Sequence, residues 1–287
     1  MRIFNRTLTT CLVLIAAGCG SEPKAFDLGG FHYSIDAFEQ WKLPKSLREI
    51  SGLTASPDGR VFAHDDEHGV VHQLDYHSGR LVKTFALTKP NGKPLKRDFE
   101  GITAVGNELY LVSSDGLLFR FKPGRDGGKV AFQIIPTGGG SVCEVEGLAP
   151  HPRENALLLA CKHVYRESPG QAAVILFFSL ATETLAPERR IIIDSQQLAK
   201  KLGNTERLNL SGLAISPRTG NLLLVAARQH VALEATPGGE LVTVFRWPME
   251  RYHRQTEGIV QLVDGTLLIA DEGNKKRGRL GVYRATI

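Results

Sequence analysis

The sequence lacks the short motifs of two large classes of enzyme. It contains no Gly-x-Ser-x-Gly elbow, which disfavours a serine hydrolase, and no phosphate-binding P-loop. It also lacks a strong excess of one charge, because the formal net charge of its 287 residues is +5 at pH 7. A nucleic-acid partner needs a broad basic face, and the basic run at residues 275–279 is most simply a solvated loop. We therefore expect no nucleic-acid partner.

Methionine and cysteine are scarce, with two and four residues, whereas glycine occurs 30 times. Frequent glycine among many short apolar runs indicates turns and strands rather than helices. The hydrophobic content of 42% and the charged content of 23% are close to the averages of soluble proteins, so a sizeable core can form. These features together predict an all-β domain.

The first 18 residues have the pattern of an export signal. Arg2 and Arg6 precede a short apolar run at 12–17, which is too short to span a bilayer as a permanent helix. Residues 15–19, Ile-Ala-Ala-Gly-Cys, resemble the cleavage box of bacterial lipoproteins, which implies cleavage before Cys19 and acylation of its thiol. An ordinary secretory signal cut elsewhere is the alternative. Loss of Arg2 and Arg6 with the signal leaves a net charge of +3.

The signal predicts where the protein is located. Gly20 rather than Asp follows Cys19, and in this class of signal that favours the outer membrane. We expect a monomer in the cell envelope that faces the periplasm, contacts the membrane only through its lipid anchor, and binds an unknown envelope ligand or protein. Export also places Cys143 and Cys161 in an oxidising compartment. A disulfide between them and two buried free thiols are both consistent with the sequence.

Five short stretches of similar sequence repeat along the chain, each with a glycine in third place. Their glycines are 49, 46, 65 and 46 residues apart, and a turn and a second apolar run follow each stretch. A period near 45 residues is typical of one four-stranded propeller blade. The sequence therefore predicts a five-bladed β-propeller. The five stretches are 50–53, 99–102, 145–148, 210–213 and 256–259.

The long interval and the two chain ends also fit a propeller. Residues 194–203 predict a short helix with Asp194 or Ser195 as its N-cap and Gly203 at its end, and this insertion explains most of the extra length. A sixth, short blade within 150–209 is the alternative. The last unit runs out after three strands, and residues 38–44 match the pattern of a fourth strand, so we expect this N-terminal strand to close the last blade. The predicted divisions are a signal at 1–18, a tether at 19–30 and a propeller at 31–287.

The order and spacing of these repeats resemble the SdiA-regulated family of calcium-regulated β-propellers, which includes YjiK- and CarP-type proteins. The resemblance covers roughly residues 30–287 and is carried by residues 49–53, 98–102, 146–149, 210–213 and 255–259. It implies a propeller that binds calcium and has no settled catalytic activity, so the catalytic residues are unknown. Annotations of such proteins as esterase-like or phytase-like rest on the fold alone.

The residue before each repeat glycine is expected at the mouth of the central channel, because the first strand of each blade lines that channel. Three carboxylates in a narrow mouth repel one another unless their pKa values rise or a cation lies among them. Ligands that are all oxygen suit a hard cation, with Ca²⁺ as the first choice and Mg²⁺ as the second. The ring consists of Ser51, Glu100, Glu146, Ser211 and Glu257.

A second set of acids is expected at the ends of the second strands. Asp65 and Asp271 occupy matching positions there, and with Glu100, Glu146 and Glu257 they form the candidate metal site. Lys162 and Arg228 follow the second strands of units three and four and could pair with the glutamates instead. Metal binding and structural ion pairing therefore both stay open at this point.

The sequence leads to three functional hypotheses. The first is an envelope binding protein without catalytic activity that holds a cation in its channel. The second is a metal-dependent hydrolase of esters, lactones or phosphates, implied by a more distant resemblance to six-bladed lactonase-type propellers, in which Asp66 or Glu272 would be the general base. The third is a scaffold whose acids are all paired.

Overall fold

The computed structural model describes residues 25–166, 168–203, 207–247 and 252–286. The predicted signal segment and Cys19 lie outside the described residues. Within them, the strands form five sheets whose innermost strands contact one another in a closed ring. This arrangement confirms the predicted five-bladed, all-β propeller. In the ranges given above, no helix is both long and apolar enough to cross a membrane.

Two strands precede the first repeat, namely β1 (Ala25–Leu28) and β2 (Phe31–Lys42). Blade I then contains β3 (Ile50–Ala55), β4 (Val61–Asp65), β5 (Val70–Asp75) and β6 (Arg80–Leu87). Blade II contains β7 (Phe99–Val105), β8 (Glu108–Ser113) and β9 (Leu117–Phe121). The short β10 (Gly128–Val130) returns to pair in parallel with β6, and β11 (Phe132–Pro136) completes blade II.

Blade III contains β12 (Cys143–Pro150), β13 (Ala156–Val164), β14 (Gln171–Ser179), β15 (Thr184–Leu185) and β16 (Ile191–Asp194). Both β15 and β16 pair with β14. The helix α1 (Ser195–Leu202) follows. Blade IV contains β17 (Gly212–Ile215), β18 (Leu222–Ala226), β19 (Val231–Ala235) and β20 (Leu241–Arg246). Blade V contains β21 (Thr256–Gln261), β22 (Leu267–Asp271) and β23 (Arg279–Thr286).

The second strand of each blade consists mainly of apolar residues and lies in the core. Every residue of β18 and of β22 is buried, because neighbouring blades cover both faces of these strands. The outer strands differ, since β6 is exposed along its first half and β20 is mostly partly exposed. The apolar core therefore lies between the blades, and the outer strands present partly exposed surface at the rim.

The repeat glycines allow the innermost strands to approach closely. A Cβ atom on Gly101 would lie 2.9 Å from the backbone nitrogen of Leu148 in the next blade. A Cβ on Gly258 would lie 3.2 Å from the backbone nitrogen of Leu53, across the junction between blades V and I. Real Cβ atoms are essentially never found within 3.0 Å of such an atom, so a side chain at Gly101 would push blades II and III apart.

The N-terminal strand closes the ring, as the sequence predicts. β2 pairs antiparallel with β23, and the register places Glu39 opposite Val282 and Trp41 opposite Leu280. The ring of Phe38 stacks on Tyr283 of β23 with 4.9 Å between ring centroids. Strands from both ends of the chain therefore build blade V.

Part of the predicted tether belongs to the propeller. Residues 25–30 were expected within the 19–30 tether, but β1 pairs with β2 and extends blade V to five strands. Phe26 and Leu28 are buried, and their alternation with Ala25 and Asp27 is the pattern of a strand with one buried face. The turn at Gly29–Gly30 is anchored by Glu234, which accepts a hydrogen bond from the Gly29 N–H at 2.7 Å.

The long interval contains the predicted helix and no sixth blade in its described part. The Asp194 carboxylate accepts hydrogen bonds from the N–H groups of Gln196 and Gln197, and Gly203 ends α1 with a φ of 77°. Gln197 in turn accepts a hydrogen bond from the Leu241 N–H, which docks the helix on blade IV. The strands of this segment extend blade III, so the count of five blades is confirmed.

The sulfur atoms of Cys143 and Cys161 are bonded, which realises one of the two alternatives left open by the sequence. The two residues lie on β12 and β13, whose pairing places Val145 opposite Cys161. The bond therefore links the first two strands of blade III at the end where Glu146 lies.

Gly101→Ala is expected to lower the free energy of unfolding by about 2–3 kcal/mol, because the added methyl group meets backbone that cannot yield locally. Urea unfolding followed by tryptophan fluorescence measures this loss. Gly238→Ala is a matched control, since its nearest neighbour would be Thr236 Oγ1 at 3.6 Å, and its effect should stay within about 0.5 kcal/mol. Equal losses in the two variants would contradict the close-approach role of the repeat glycine.

Candidate functional site

A β-bulge directs each ring residue towards the channel mouth. In blades I, II, III and V, the register between the first and second strands shifts at the residue before the repeat glycine. A bulge leaves one residue without a partner in the ladder and turns its side chain to a new direction. The four residues in this position are Ser51, Glu100, Glu146 and Glu257.

Blade IV differs because β17 begins only at Gly212. Ser211 lies before it, buried, and its hydroxyl donates to the Thr256 carbonyl at 2.7 Å. The same hydroxyl oxygen accepts the Ala227 N–H at 3.0 Å. Ser211 is therefore a link between blades IV and V rather than an open donor at the mouth.

The channel is narrow where the acids meet. A space of only about 10 Å³, enough for about one water molecule, is lined by the repeat glycines together with Ser51, Glu100 and Glu257. The Ser51 hydroxyl donates to Glu100 Oε2 at 3.0 Å, which joins blades I and II. A ligand larger than water therefore meets these carboxyl groups from the mouth and does not pass between them.

Glu146 is paired with the side chain of Lys162. Lys162 Nζ lies 2.5 Å from Glu146 Oε1 and 3.7 Å from Glu144 Oε1. Glu146 is only 3% exposed, so the ammonium group supplies the positive charge that this buried carboxylate needs. Of the two cations proposed from the sequence to pair with the glutamates, Lys162 does so. Arg228 forms no ion pair within the described residues.

The mouth raises the pKa of all three glutamates. Burial is the largest cause for each. The negative charge of Glu146 raises the pKa values of Glu100 and Glu257 further, and that of Glu257 reaches about 8. Lys162 works against this rise at Glu146. The ring therefore holds protons at pH values where an exposed glutamate has lost them.

A second acidic group lies beside the ring, at the junction of blades V and I. The pKa of Asp66 rises to about 6 through burial, then through the charges of Glu49 and Asp65, and Glu272 adds to it. Asp66 Oδ1 is buried and has no hydrogen-bond partner among the described residues. Burial and Glu49 likewise raise the pKa of Glu272. Repulsion among carboxylates is therefore a property of the whole acidic side of the mouth.

Asp65 and Asp271 were expected as metal ligands, but protein groups already engage one oxygen of Asp65 and both oxygens of Asp271. Asp65 Oδ1 accepts the N–H groups of Glu67 and His68, at 3.0 and 2.7 Å, in the turn after β4. Asp271 is 2% exposed; its Oδ2 lies 2.6 Å from His253 Nδ1, and its Oδ1 accepts from Thr256. Across the described part of the chain, no three His, Cys, Asp or Glu side chains are placed to hold a metal ion. The five-ligand set is therefore not assembled.

Asp271 belongs to a buried chain of hydrogen bonds that the sequence did not reveal. The other nitrogen of His253, Nε2, lies 2.7 Å from the Tyr283 hydroxyl on β23. His253 is fully buried and packs 4.6 Å from the Trp247 ring. No short motif links these residues, because His253 and Tyr283 are 30 positions apart and meet only when blade V closes.

Two cavities lie near the ring, one on the basic side of the mouth and one at the other end of the channel. A cleft of about 310 Å³ lies between blades III, IV and V and is lined by Lys162, Arg228, Arg254 and Glu257. A larger cavity of about 630 Å³ opens where the innermost strands end, and its walls include Ala55, Ile215 and Leu262. That cavity holds none of the ring acids, so we assign the candidate site to the mouth.

No family model matches the chain, and no curated protein matches it in sequence. Solved structures do match. Glutaminyl cyclase of Myxococcus xanthus is similar with a TM-score of 0.57 at 16% identity, over 86% of this chain and 94% of the cyclase. A luciferin-regenerating enzyme is similar with a TM-score of 0.54 at 7% identity, over 86% and 95%. At these identities, the similarity shows a shared propeller fold and carries no activity across.

Asp271→Ala is expected to lower the free energy of unfolding by about 3 kcal/mol, because it leaves the Nδ1 atom of His253 buried without a hydrogen-bond partner. Tyr283→Phe removes only the distal hydroxyl and should cost about 1 kcal/mol. Chemical denaturation in EDTA and in Ca²⁺ measures both. Losses that are the same in the two solutions agree with a structural Asp271, whereas a loss seen only in Ca²⁺ would make it a metal ligand after all.

The stability of the wild type should fall relative to Glu257→Gln as pH rises from 5 to 9. The folded pKa of about 8 lies above the unfolded value near 4.5, so the folded state holds the extra proton between these limits. The stabilisation of the folded state by this proton is complete below about pH 4.5 and is lost as pH rises through 8. We expect a difference of about 1–2 kcal/mol, reduced by partial solvent exposure.

Thermal unfolding at several pH values measures this difference. Glu240→Gln, at an exposed turn position, is the control and should show no pH trend relative to the wild type. Parallel curves for the wild type and Glu257→Gln would show that Glu257 titrates normally.

Proposed function

We propose that this chain is a ligand-binding β-propeller of the bacterial cell envelope, with an acidic mouth that takes up a divalent cation. The observation that carries the proposal is the set of three glutamates that bulges in three blades direct to the mouth. Burial raises the pKa of all three, and the charge of Glu146 raises the pKa values of Glu100 and Glu257 further. Buried carboxyl groups this close together lower the stability of the folded state when they are ionised, and a bound cation offsets that repulsion.

The chemistry of the donors supports Ca²⁺ over a softer metal. All ring side chains that face the mouth offer oxygen, and Ca²⁺ accepts six to eight oxygens in flexible geometry, including those of water and of a ligand. Glu100 and Glu257 would hold the ion, because Glu146 already has Lys162. Since the described side chains do not form a finished metal site, the ion would depend on oxygens from outside this set.

The chain's own residues prepare the mouth for a charged guest. Ser51 donates to Glu100 and so fixes its carboxyl group, while Lys162 keeps Glu146 in place. Gln255 is held between Glu272 and Asn274 at the entrance, where its amide contacts the Glu272 carboxylate. When bound, a divalent ion supplies positive charge that lowers the pKa of both glutamates and attracts an anionic ligand oxygen.

The location in the envelope is part of the proposal. It rests on the lipoprotein-like residues 15–19 and on the resemblance to calcium-regulated β-propellers. A lipid on Cys19 would tether the propeller through the few residues before Ala25, because β1 already belongs to blade V. The mouth would then sample ligands close to the membrane surface.

A second candidate is an acid–base enzyme acting on esters, lactones or phosphates. The observation that favours it is Glu257, because a pKa of about 8 suits a group that exchanges protons near neutral pH. The two similar structures described above are both enzymes, which agrees with this candidate only at the level of the fold. It predicts turnover that is lost on chelation and in Glu146→Gln.

Calcium at 1–10 mM should raise the thermal midpoint of the purified full chain by about 5 °C over its value in EDTA, because only the folded state has the site. Glu100→Gln and Glu257→Gln should lose this rise, and Glu240→Gln should keep it. Mg²⁺ should act more weakly. An unchanged midpoint in millimolar calcium would overturn the cation site. The same samples, given ester, lactone and phosphate substrates, distinguish binding from turnover.

A further inference from the structure

The basic cleft beside the mouth has the size of a small-ligand site. Its volume of about 310 Å³ lies at the lower end of the range for ligand pockets, about 300–1,000 Å³. Its walls come from the ends of β13, β18 and β21 and from the segment before β17, so three blades contribute. Charged and hydrogen-bonding side chains line it, among them Lys162, His163, Asn209, Arg228, Arg254 and Glu257.

A buried glutamine fixes the orientation of one wall. Gln229 is 5% exposed; its Nε2 donates to the backbone carbonyl of Arg207 at 2.9 Å, and its Oε1 accepts the Asn209 N–H at 3.1 Å. A backbone carbonyl can only accept and a backbone N–H can only donate, so the Gln229 amide fits in one orientation only.

Gln229 sets the direction of Asn209 in turn. Gln229 Nε2 also donates to Asn209 Oδ1 at 3.0 Å, which leaves the Asn209 amino group facing His163. That amino group lies 3.2 Å from His163 Nδ1, so Nδ1 accepts and a neutral His163 carries its proton on Nε2. The wall therefore presents N–H donors, and their arrangement follows from hydrogen bonding alone.

Most of the charged side chains that line the cleft are cations, so they also favour an anionic ligand. Glu146 and Glu144 engage Lys162, but Arg228 is exposed and makes no ion pair with any described residue. Glu257 is the acidic side chain among those that line this cleft, and it lies there with Lys162, Arg228 and Arg254. A cleft in which cationic side chains outnumber the acid, and whose wall offers N–H donors, suits anionic oxygens.

We propose that this cleft binds the carboxylate or phosphate group of a small anionic ligand, held by Arg228, by the Asn209 amino group and by His163 Nε2. The proposal rests on the proposed function in one respect, since it takes the mouth as the ligand-binding face. It adds the ligand's chemistry. The anionic group lies in the cleft between blades III, IV and V, and the rest of the molecule extends past Glu257 towards the acidic side.

Isothermal titration of the full chain with inorganic phosphate and with succinate tests this site directly. The titrations are made at pH 7 in EDTA with matched ionic strength, so that they do not depend on a bound cation. We expect millimolar binding by the wild type and about tenfold weaker binding by Arg228→Gln, because one charge-assisted contact is lost. Arg153→Gln, an exposed arginine in the turn between β12 and β13, should bind as the wild type does.

Asn209→Asp is the second variant. It keeps the oxygen that accepts from Gln229 and replaces the amino group with a negative oxygen, so it should abolish measurable binding. Binding of both probes, or of only one, with loss in Arg228→Gln and Asn209→Asp, supports the site and tells a carboxylate ligand from a phosphate ligand. No binding, or binding that these variants leave unchanged, overturns it. A cation effect without anion binding would leave the proposed function standing and remove this inference.

Discussion

The close approach of five innermost strands is the constraint on which the rest of this propeller depends. Each repeat glycine lies against the first strand of the next blade or its flanking backbone, and a methyl group there meets neighbouring atoms at about van der Waals contact or closer. Because the strands come this near, a space of only about 10 Å³ remains between them in the channel. The residue before each glycine is therefore brought to one small region. Packing of backbone, rather than any attraction among side chains, thus determines that carboxyl groups meet.

As a result, one side of the mouth is acidic and the other side is basic. Blades I and V bring Asp66, Glu49 and Glu272 together, and blades II, III and V add the ring glutamates. Lys162 offsets one of these charges, and the cleft beside it is basic. Buried like charges are unfavourable unless something compensates them, so the arrangement is more typical of a site that receives a partner charge than of a scaffold.

The glycine spacing and the turn residues predicted the blade count, and the pattern of residues 38–44 predicted the closing strand, because both features repeat locally in the sequence. The sequence also located Ser51, Glu100, Glu146 and Glu257, since the position before a repeat glycine is fixed by the fold. It did not predict β1, because a four-residue strand is too short to show periodicity. Nor did it predict the partners of Asp271, because His253 and Tyr283 are brought together by tertiary packing rather than by spacing.

Blade V joins the first described strands of the chain to the last ones, and this has a consequence for how the protein is made. β2 cannot pair with β23 until that last strand has been made, so the ribosome must finish nearly the whole chain before the final sheet can form. Contacts between such distant segments are slow to form, because the loop that they close is long. A chain that ends after β22 would display the edge of that strand unpaired, and an exposed edge of this kind can pair with another chain.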